Sequence, residues 1–252
     1  MHRFFVPPDT ISGVEVRLGG DLAHQIVRVL RLRRGETIVL LNAKREEYDV
    51  ELLEVGAEQV TGRVRGRREA SREPLVHLTL AQALLKGDHF EEVVEAATQL
   101  GVATIRPFVS ERCVVREVSE QKAERYARVA IEAAETAKRT VVPEIAELVA
   151  WADLCHGADD VHGFVVPWEG EKARQLHEAL HEIRIGNAGV ESLRVLLAIG
   201  PEGGLTHEEV LLAAEHGARV VTLGPRVLRS EIAAIAATAQ ILYEFEAERS
   251  RG

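Results

Sequence analysis

From Leu75 onward the chain alternates short apolar runs with helix-patterned segments, and this alternation restricts the fold more than any other feature. The apolar runs are "LVHLTLAQALL" (75–85), "TIRPFV" (104–109), "GFVVPW" (163–168), "LRVLLAIG" (193–200) and "RVVTLG" (219–224). Between them lie helical patterns. Phe90, Val93, Val94, Ala97 and Leu100 share one helical face, and Gly101 ends it. Alanine-rich 119–139, "KARQLHEALHEI" (172–183), "THEEVLLAAEHG" (206–217) and 231–246 read as further helices. Asp88 with Glu91, and Thr206 with Glu209, have the spacing of capping boxes. A strand that leaves through a helix returns parallel to itself, so the pattern predicts an α/β fold: a parallel sheet with helices on both faces. Ligands of such sheets bind beyond the carboxyl ends of the strands.

The first 70 residues differ. "VEVRL" (14–18), "TIVLL" (37–41), "YDVELLEV" (48–55) and "QVTGRVRG" (59–66) are short, β-branched runs separated by turn residues. They predict a small β-barrel. One helical segment interrupts it, "DLAHQIVRVLRL", with Asp21 as its cap and Leu22, Ile26, Val29 and Leu30 near one face. Polar "RGRREASREP" (65–74) is the candidate boundary between domains 1–72 and 73–252.

Two strand ends carry residues that a plain turn does not require. "IGPEGGLT" (199–206) sets Glu202 between Pro201 and the pair Gly203-Gly204, just before a helix. The glycines admit φ > 0 and close backbone approach, and the free N–H groups of the turn and helix start suit a polar ligand. Neither a G-K-[ST] phosphate loop nor a G-x-G-x-x-G fingerprint is present. "VVTLGPRVLRSEIAA" (220–234) repeats the theme, with Arg226, Arg229 and Glu231 around the start of the last helix. Cations are disfavoured at a helix N-terminus. Arg229 therefore either serves the site or pairs with a glutamate.

The formal charge of −9 argues against a protein that wraps nucleic acid over its whole surface. The charge is uneven, however: residues 1–72 hold 13 Lys/Arg against 11 Asp/Glu, and the remainder 18 against 29. A local anionic partner for the front of the chain fits that balance. Cys113 and Cys155 have neither disulfide-framework nor zinc spacing, so the expectation is a cytoplasmic protein with no metal. No apolar run approaches the roughly 18 to 20 residues of a membrane span. His77, His89, His156, His162, His177 and His181 fit no ligand spacing and read as structural or exposed.

Taken together, "IGPEGGLT" and "LGPRVLRSEIAA" resemble the paired signature of the RsmE-type bacterial ribosomal RNA methyltransferases of the SPOUT superfamily. "MHRFFV", "AHQIVRVLRLRRGE", "LLKGDHFEEVVEAATQLGVATIRPFVSERC" and "AAETAKRTVVPEI" extend the resemblance along essentially the whole chain. His24-Gln25, Gln99 to Val102 and Glu135-Thr136 depart from the family pattern. The resemblance implies a SPOUT-type parallel sheet with a C-terminal trefoil knot behind a PUA-like RNA-binding barrel. It implies S-adenosylmethionine as cofactor, and methylation of N3 of a uridine in small-subunit ribosomal RNA. Small-subunit ribosomal RNA within the assembled subunit is then the partner, and the protein a homodimer. Carried onto this chain, the cofactor loops are Val166-Pro167, Ile199 to Gly204 (Gly200, Pro201, Glu202, Gly203) and Leu223 to Arg229. Leu197, Ile199, Leu223 and Leu228 would flank the adenine, with Gly224 in the turn. Arg229 is the candidate cation favouring the uridine anion, and Glu231 the candidate general base. Arg3, Arg28, Arg31, Arg33, Arg34 and Arg226 are the candidate RNA contacts, joined by Arg63, Arg65, Arg67 and Arg68. Arg28 and Arg31, at helical spacing, would share one phosphate region. The alternatives are a non-catalytic RNA-binding protein that retains the fold, and a nucleotide-binding enzyme using the glycine turn.

Overall fold

The computed structural model describes residues 1–11, 13–42, 46–69 and 73–246. The chain divides into two compact units, one of Met1–Glu73 with Ala134–Val141, the other of Pro74–Ala133 with the chain from Val142.

The first unit contains β1 (Arg3–Phe5), β2 (Glu15–Gly19), helix α1 (Gly20–His24), β3 (Thr37–Leu41), β4 (Glu46–Val55) and β5 (Gln59–Glu69). The sheet order is β1-β3-β4-β5-β2, antiparallel except for the parallel β1–β3 pair. Two irregularities in the β4–β5 register bend it, as expected where one strand gains a residue over its partner. Phe4, Val16, Leu18, Ile26, Ile38, Leu40, Leu52 and Val60 form its core.

Asp21 does not cap α1: Gly19 is the N-cap, no side chain caps it, and Asp21 sits inside the first turn. The helix then widens into a π-turn over Gln25–Val29, marked by the Leu30 N–H bond to the Gln25 carbonyl (2.9 Å). The wider turn rotates the apolar face, so Val27 packs on the core while Val29 is 65% exposed. The polar stretch from Arg65 is not all linker. Strand β5 continues through it to Glu69, because Arg67 and Arg68 lie opposite Tyr48 and Glu47. Ala70 to Arg72 of the expected boundary fall outside the described residues. Glu73 binds the returning segment 134–141. Its carboxylate accepts from Arg139 Nη2 (2.5 Å), the Thr140 N–H (2.9 Å), the Thr140 hydroxyl (3.0 Å) and the Val141 N–H (3.2 Å).

The second unit runs β6 (Val76–Ala83), α2 (His89–Leu100), β7 (Thr104–Val109), α3 (Glu120–Thr136, whose last residues from Ala134 belong to the first unit), β8 (Glu144–Ile145) and β9 (Val149–Ala150). It continues with α4 (Trp151–His156), β10 (Gly163–Pro167), α5 (Leu176–Gly186), β11 (Leu193–Ile199), α6 (His207–Glu215), β12 (Ala218–Val221) and α7 (Ser230–Glu246). The sheet order is β12-β10-β11-β6-β7-β8, with β9 also on β7, and every pair is parallel. Strand alternation divides the core. Val195, Leu197 and Ile199 face α2, α5 and α7, whereas Leu196 and Ala198 face α4 and α6. Burying each large aliphatic or aromatic side chain there contributes about 1.5–3 kcal/mol.

Local chemistry explains where helices depart from expectation. Asp88 is the N-cap of α2, but its side chain makes no capping bond. Glu91 is drawn instead to Arg125 (2.6 Å), so no capping box forms. Helix α5 begins four residues later than its periodicity predicts. The Glu171 carboxylate takes the N–H groups of Ala173 (2.7 Å), Arg174 (3.1 Å) and Lys172 (2.8 Å), which holds them out of the helix. Those bonds, led by Ala173 and Arg174, hold the Glu171 carboxyl below its ordinary value. Thr206 and Glu209 do form the expected capping box on α6. Strands β8 and β9, at two residues each, are too short to leave a periodicity in the sequence. Both cysteines are buried and free.

Candidate active site

Sheet order sets β10 between β11 and β12, so the carboxyl ends of all three are neighbours. The loops leaving them line one cavity: Pro167 to Glu169 and Lys172 after β10, Ile199 to Leu205 at β11, and Thr222 to Leu228 after β12. Ser230 and Ala233 of α7 complete the wall.

The glycine loop is held from several sides. Gly204 has φ +70°, its N–H donates to the Pro201 carbonyl (2.9 Å), and a Cβ there would lie 2.4 Å from Glu169 Oε1. Gly224 has φ +109° with open space around it, so its glycine serves backbone conformation alone. The Glu202 carboxylate accepts the Lys86 N–H (2.9 Å), and Arg112 Nη1 donates to the Gly203 carbonyl (3.0 Å). A carboxylate between glycines thus ties the end of β11 to the turn after β6. Beneath it, the Ser230 hydroxyl donates to the Gly200 carbonyl (2.5 Å) and accepts from Gln82 Nε2 (3.0 Å). Gln82 is fully buried. Its place in the apolar run "LTLAQALL" was the available signal, since a buried amide requires partners. Gln82, Lys86, Arg112 and Ser230 all escaped sequence reasoning.

A second cavity adjoins the first, lined by Lys86, His89, Glu202, Val227, Leu228, Arg229, Ser230 and Glu231. Four of these, Glu202, Val227, Leu228 and Ser230, line both cavities. Arg229 Nη1 lies 3.9 Å from Glu231 Oε1, with side-chain exposures of 81% and 7%. So solvated a contact is worth at most about 1 kcal/mol, which leaves the guanidinium available to a ligand.

Of the predicted cofactor residues, Pro167, Ile199, Gly200, Pro201, Glu202, Gly203, Gly204, Leu223, Gly224 and Leu228 line the first cavity, as does Arg226. Arg229 and Glu231 line the second. Val166 and Leu197 line neither. Both are fully buried, Val166 on the opposite face of the sheet and Leu197 one pleat repeat below Ile199, so they pack the cores rather than a ligand. His89, read from sequence as structural or exposed, belongs to the second cavity.

The arginines of the first unit divide sharply. Arg3 is 8% exposed and paired with Glu47, so it is a core ion pair rather than a phosphate contact. Burial raises the Glu47 carboxyl pKa, but Arg3 and Arg68 outweigh it and hold the group below its ordinary value. Arg63 pairs with Glu15 (3.7 Å), Arg65 with Glu51 (2.5 Å), Arg67 with Glu46, and Arg68 with Glu47 (2.7 Å) and Asp49. The antiparallel registers set acidic β4 beside Arg65, Arg67 and Arg68 and bring Glu15 of β2 opposite Arg63, so the expected basic strip is paired residue by residue. Arg28, Arg31, Arg33 and Arg34 are exposed and form no ion pair among the described residues. Arg31 lies beyond the helix at φ +54°, so it does not neighbour Arg28 by helical spacing.

Comparison with known proteins bears on this site. Residues 71–242 match the family described as the RNA methyltransferase domain. The ribosomal RNA small subunit methyltransferase E of Bacillus subtilis is 32% identical over 98% of both chains. That of Synechocystis is 33% identical over 95% of this chain and 77% of its own. Among solved structures, the ribosomal RNA small subunit methyltransferase E of Neisseria gonorrhoeae bound to S-adenosyl methionine superposes with a TM-score of 0.82. It is 26% identical and covers 97% of this chain and 98% of its own. A Legionella pneumophila protein in complex with the bound cofactor SAM gives 0.79, at 29% identity over 98% and 97% of the two chains. With a family match over most of its length and a full-length relative above 30% identity, this chain belongs to the RNA methyltransferase family.

Proposed function

We propose that this protein transfers a methyl group from S-adenosylmethionine to N3 of a uridine in small-subunit ribosomal RNA. The observation that carries the reading is the cavity at three adjacent strand ends, whose walls are the two loops that bear the resemblance. Its composition fits the cofactor. Ile199, Leu223 and Leu228 offer apolar walls to an adenine, and Gly200 to Gly204 let the backbone approach the polar portions closely. When bound, S-adenosylmethionine supplies a methyl group on a sulfonium.

The chain's own residues orient and charge the site. Uridine N3 carries a proton and is a poor nucleophile until that proton leaves. Arg229, solvated but on the wall of the second cavity, favours the base anion by Coulomb attraction, and Glu231 is the proton acceptor. Holding donor and acceptor in line is the rest of the work, and the Gln82–Ser230–Gly200 bonds fix the loops that do it.

The same reading makes 73–252 a SPOUT domain whose cofactor loops belong to a trefoil knot. It makes 1–72 a PUA-like RNA-binding barrel, with Arg28, Arg31, Arg33 and Arg34 as its phosphate contacts. A homodimer is supported by α7, which is apolar on two sides. Ala234, Ala237, Ile241 and Leu242 are buried, while Ile232 and Tyr243 are 47% and 75% exposed. The substrate is the RNA of the assembled subunit, in the cytoplasm. Nucleoside mass spectrometry of ribosomal RNA from cells with and without the protein tests the reading. N3-methyluridine should vanish from small-subunit RNA in its absence; unchanged N3-methyluridine refutes it.

A further inference from the structure

We propose that the second cavity is the pocket for the target base, that it selects bases whose ring nitrogen carries a dissociable proton, and that Lys86 is a catalytic residue within it. The proposal rests on the reading of this protein as a methyltransferase acting on an RNA base.

The cavity shares Glu202, Val227, Leu228 and Ser230 with the first, so occupants of the two are direct neighbours. Val227 and Leu228 supply apolar surface for a flat ring, and the charged groups are Lys86, Arg229, Glu202 and Glu231, with His89 beside them. Two cations and two carboxylates balance while the entering base is neutral. Glu202 is fixed in the loop framework by the Lys86 N–H (2.9 Å), whereas Glu231, among the described residues, has only the 3.9 Å contact with Arg229 and takes the proton. Transfer of the ring N–H proton to Glu231 discharges one carboxylate as it creates the base anion, so the total charge of the pocket does not change. Lys86 and Arg229, both on the wall of this cavity, then supply the positive charge that offsets the anion. The ring-nitrogen electron pair forms a bond to the methyl carbon as the carbon–sulfur bond breaks. The products are a neutral methylated base and a neutral thioether, and Glu231 returns its proton to water. Uridine and guanosine have such a proton on the pairing edge. Cytidine and adenosine have none there, so the two cations do nothing for them.

Lys86 is separable from the framework because it holds Glu202 through its backbone, so replacing its side chain preserves that bond. Lys86→Met should lower kcat on the order of 10²-fold, the usual effect of removing one group that stabilises developing negative charge. Its dissociation constant for S-adenosylmethionine, measured by calorimetry without RNA, should stay within about twofold of wild type. The deficit should shrink on RNA in which uridine is replaced by 5-fluorouridine, whose ring N–H is more acidic, and should shrink again as pH rises. Lys86→Arg, which keeps the cation, should retain most of the rate. Near-normal turnover by Lys86→Met, an equal deficit on both RNAs, or loss of cofactor affinity would each overturn the assignment. Failure of the wild-type enzyme to methylate any ring nitrogen would instead overturn the functional reading beneath it.

Discussion

Replacing Ser230 with alanine probes the joint on which both cavities depend. The hydroxyl donates to the Gly200 carbonyl at 2.5 Å and accepts from Gln82 Nε2 at 3.0 Å, so one substitution removes two bonds. Gln82 retains its bond to the Ala83 carbonyl (3.0 Å), but it is fully buried, and the hydrogen that faced Ser230 has no water to turn to. A buried donor left unsatisfied costs about 1–3 kcal/mol, and Gly200, only partly buried, recovers some of its loss from solvent. The expected total is about 2 kcal/mol, or roughly 4–8 °C in Tm for a chain of this size. Calorimetric melting of Ser230→Ala beside Ser230→Thr, which keeps the hydroxyl, measures it. An alanine variant that melts with wild type while the threonine variant does not would refute the assigned role of the hydroxyl.

Gly204→Ala must place a side chain at φ +70°, at a cost of about 1–2 kcal/mol, whereas exposed Glu169 can swing away from the new Cβ. Cofactor affinity should fall about tenfold by titration calorimetry with the fold retained. Glu73→Ala withdraws the carboxylate from Arg139, whose side chain is 6% exposed, and should destabilise the protein by about 3 kcal/mol in urea unfolding. Burial raises the pKa of Glu73, but Arg139 and Thr140 outweigh it and hold the carboxyl below its ordinary value. The stability it contributes is therefore complete above the ordinary carboxylate range and is lost as pH falls through the depressed value. The acid limb of wild-type stability should flatten in the alanine variant. Removing Arg33 and Arg34 together should weaken RNA binding and reduce the magnitude of its salt slope by about 2, one per phosphate contact; an unchanged slope would exclude them as contacts.

The parallel sheet was readable because its strands are buried on both faces and its helices carry one apolar stripe, as in Phe90, Val93, Val94 and Ala97. The glycine turn was readable because few other residues tolerate the backbone of Gly204, at φ +70°. What escaped depended on partners distant in sequence. The Asp88–Glu91 spacing is that of a capping box, yet Arg125 takes Glu91. Arg63 to Arg68 resemble a phosphate-binding strip, but the strand register sets a carboxylate beside each arginine. Arg3 has a charge typical of a surface and is buried on Glu47. Lys86 acts on Glu202 through its backbone N–H, which no side-chain pattern reveals. Val166 and Leu197 lie on strands whose ends line the cavity, but at positions directed into the core.

The most direct measurement is a crystal structure of the protein soaked with S-adenosylmethionine. Density for the donor should lie between Gly200–Gly204 and Leu223–Leu228, with its methyl group turned toward Arg229 and Glu231. Ordered donor elsewhere on the protein, or none where calorimetry under the same conditions registers binding, would contradict the assignment of this cavity.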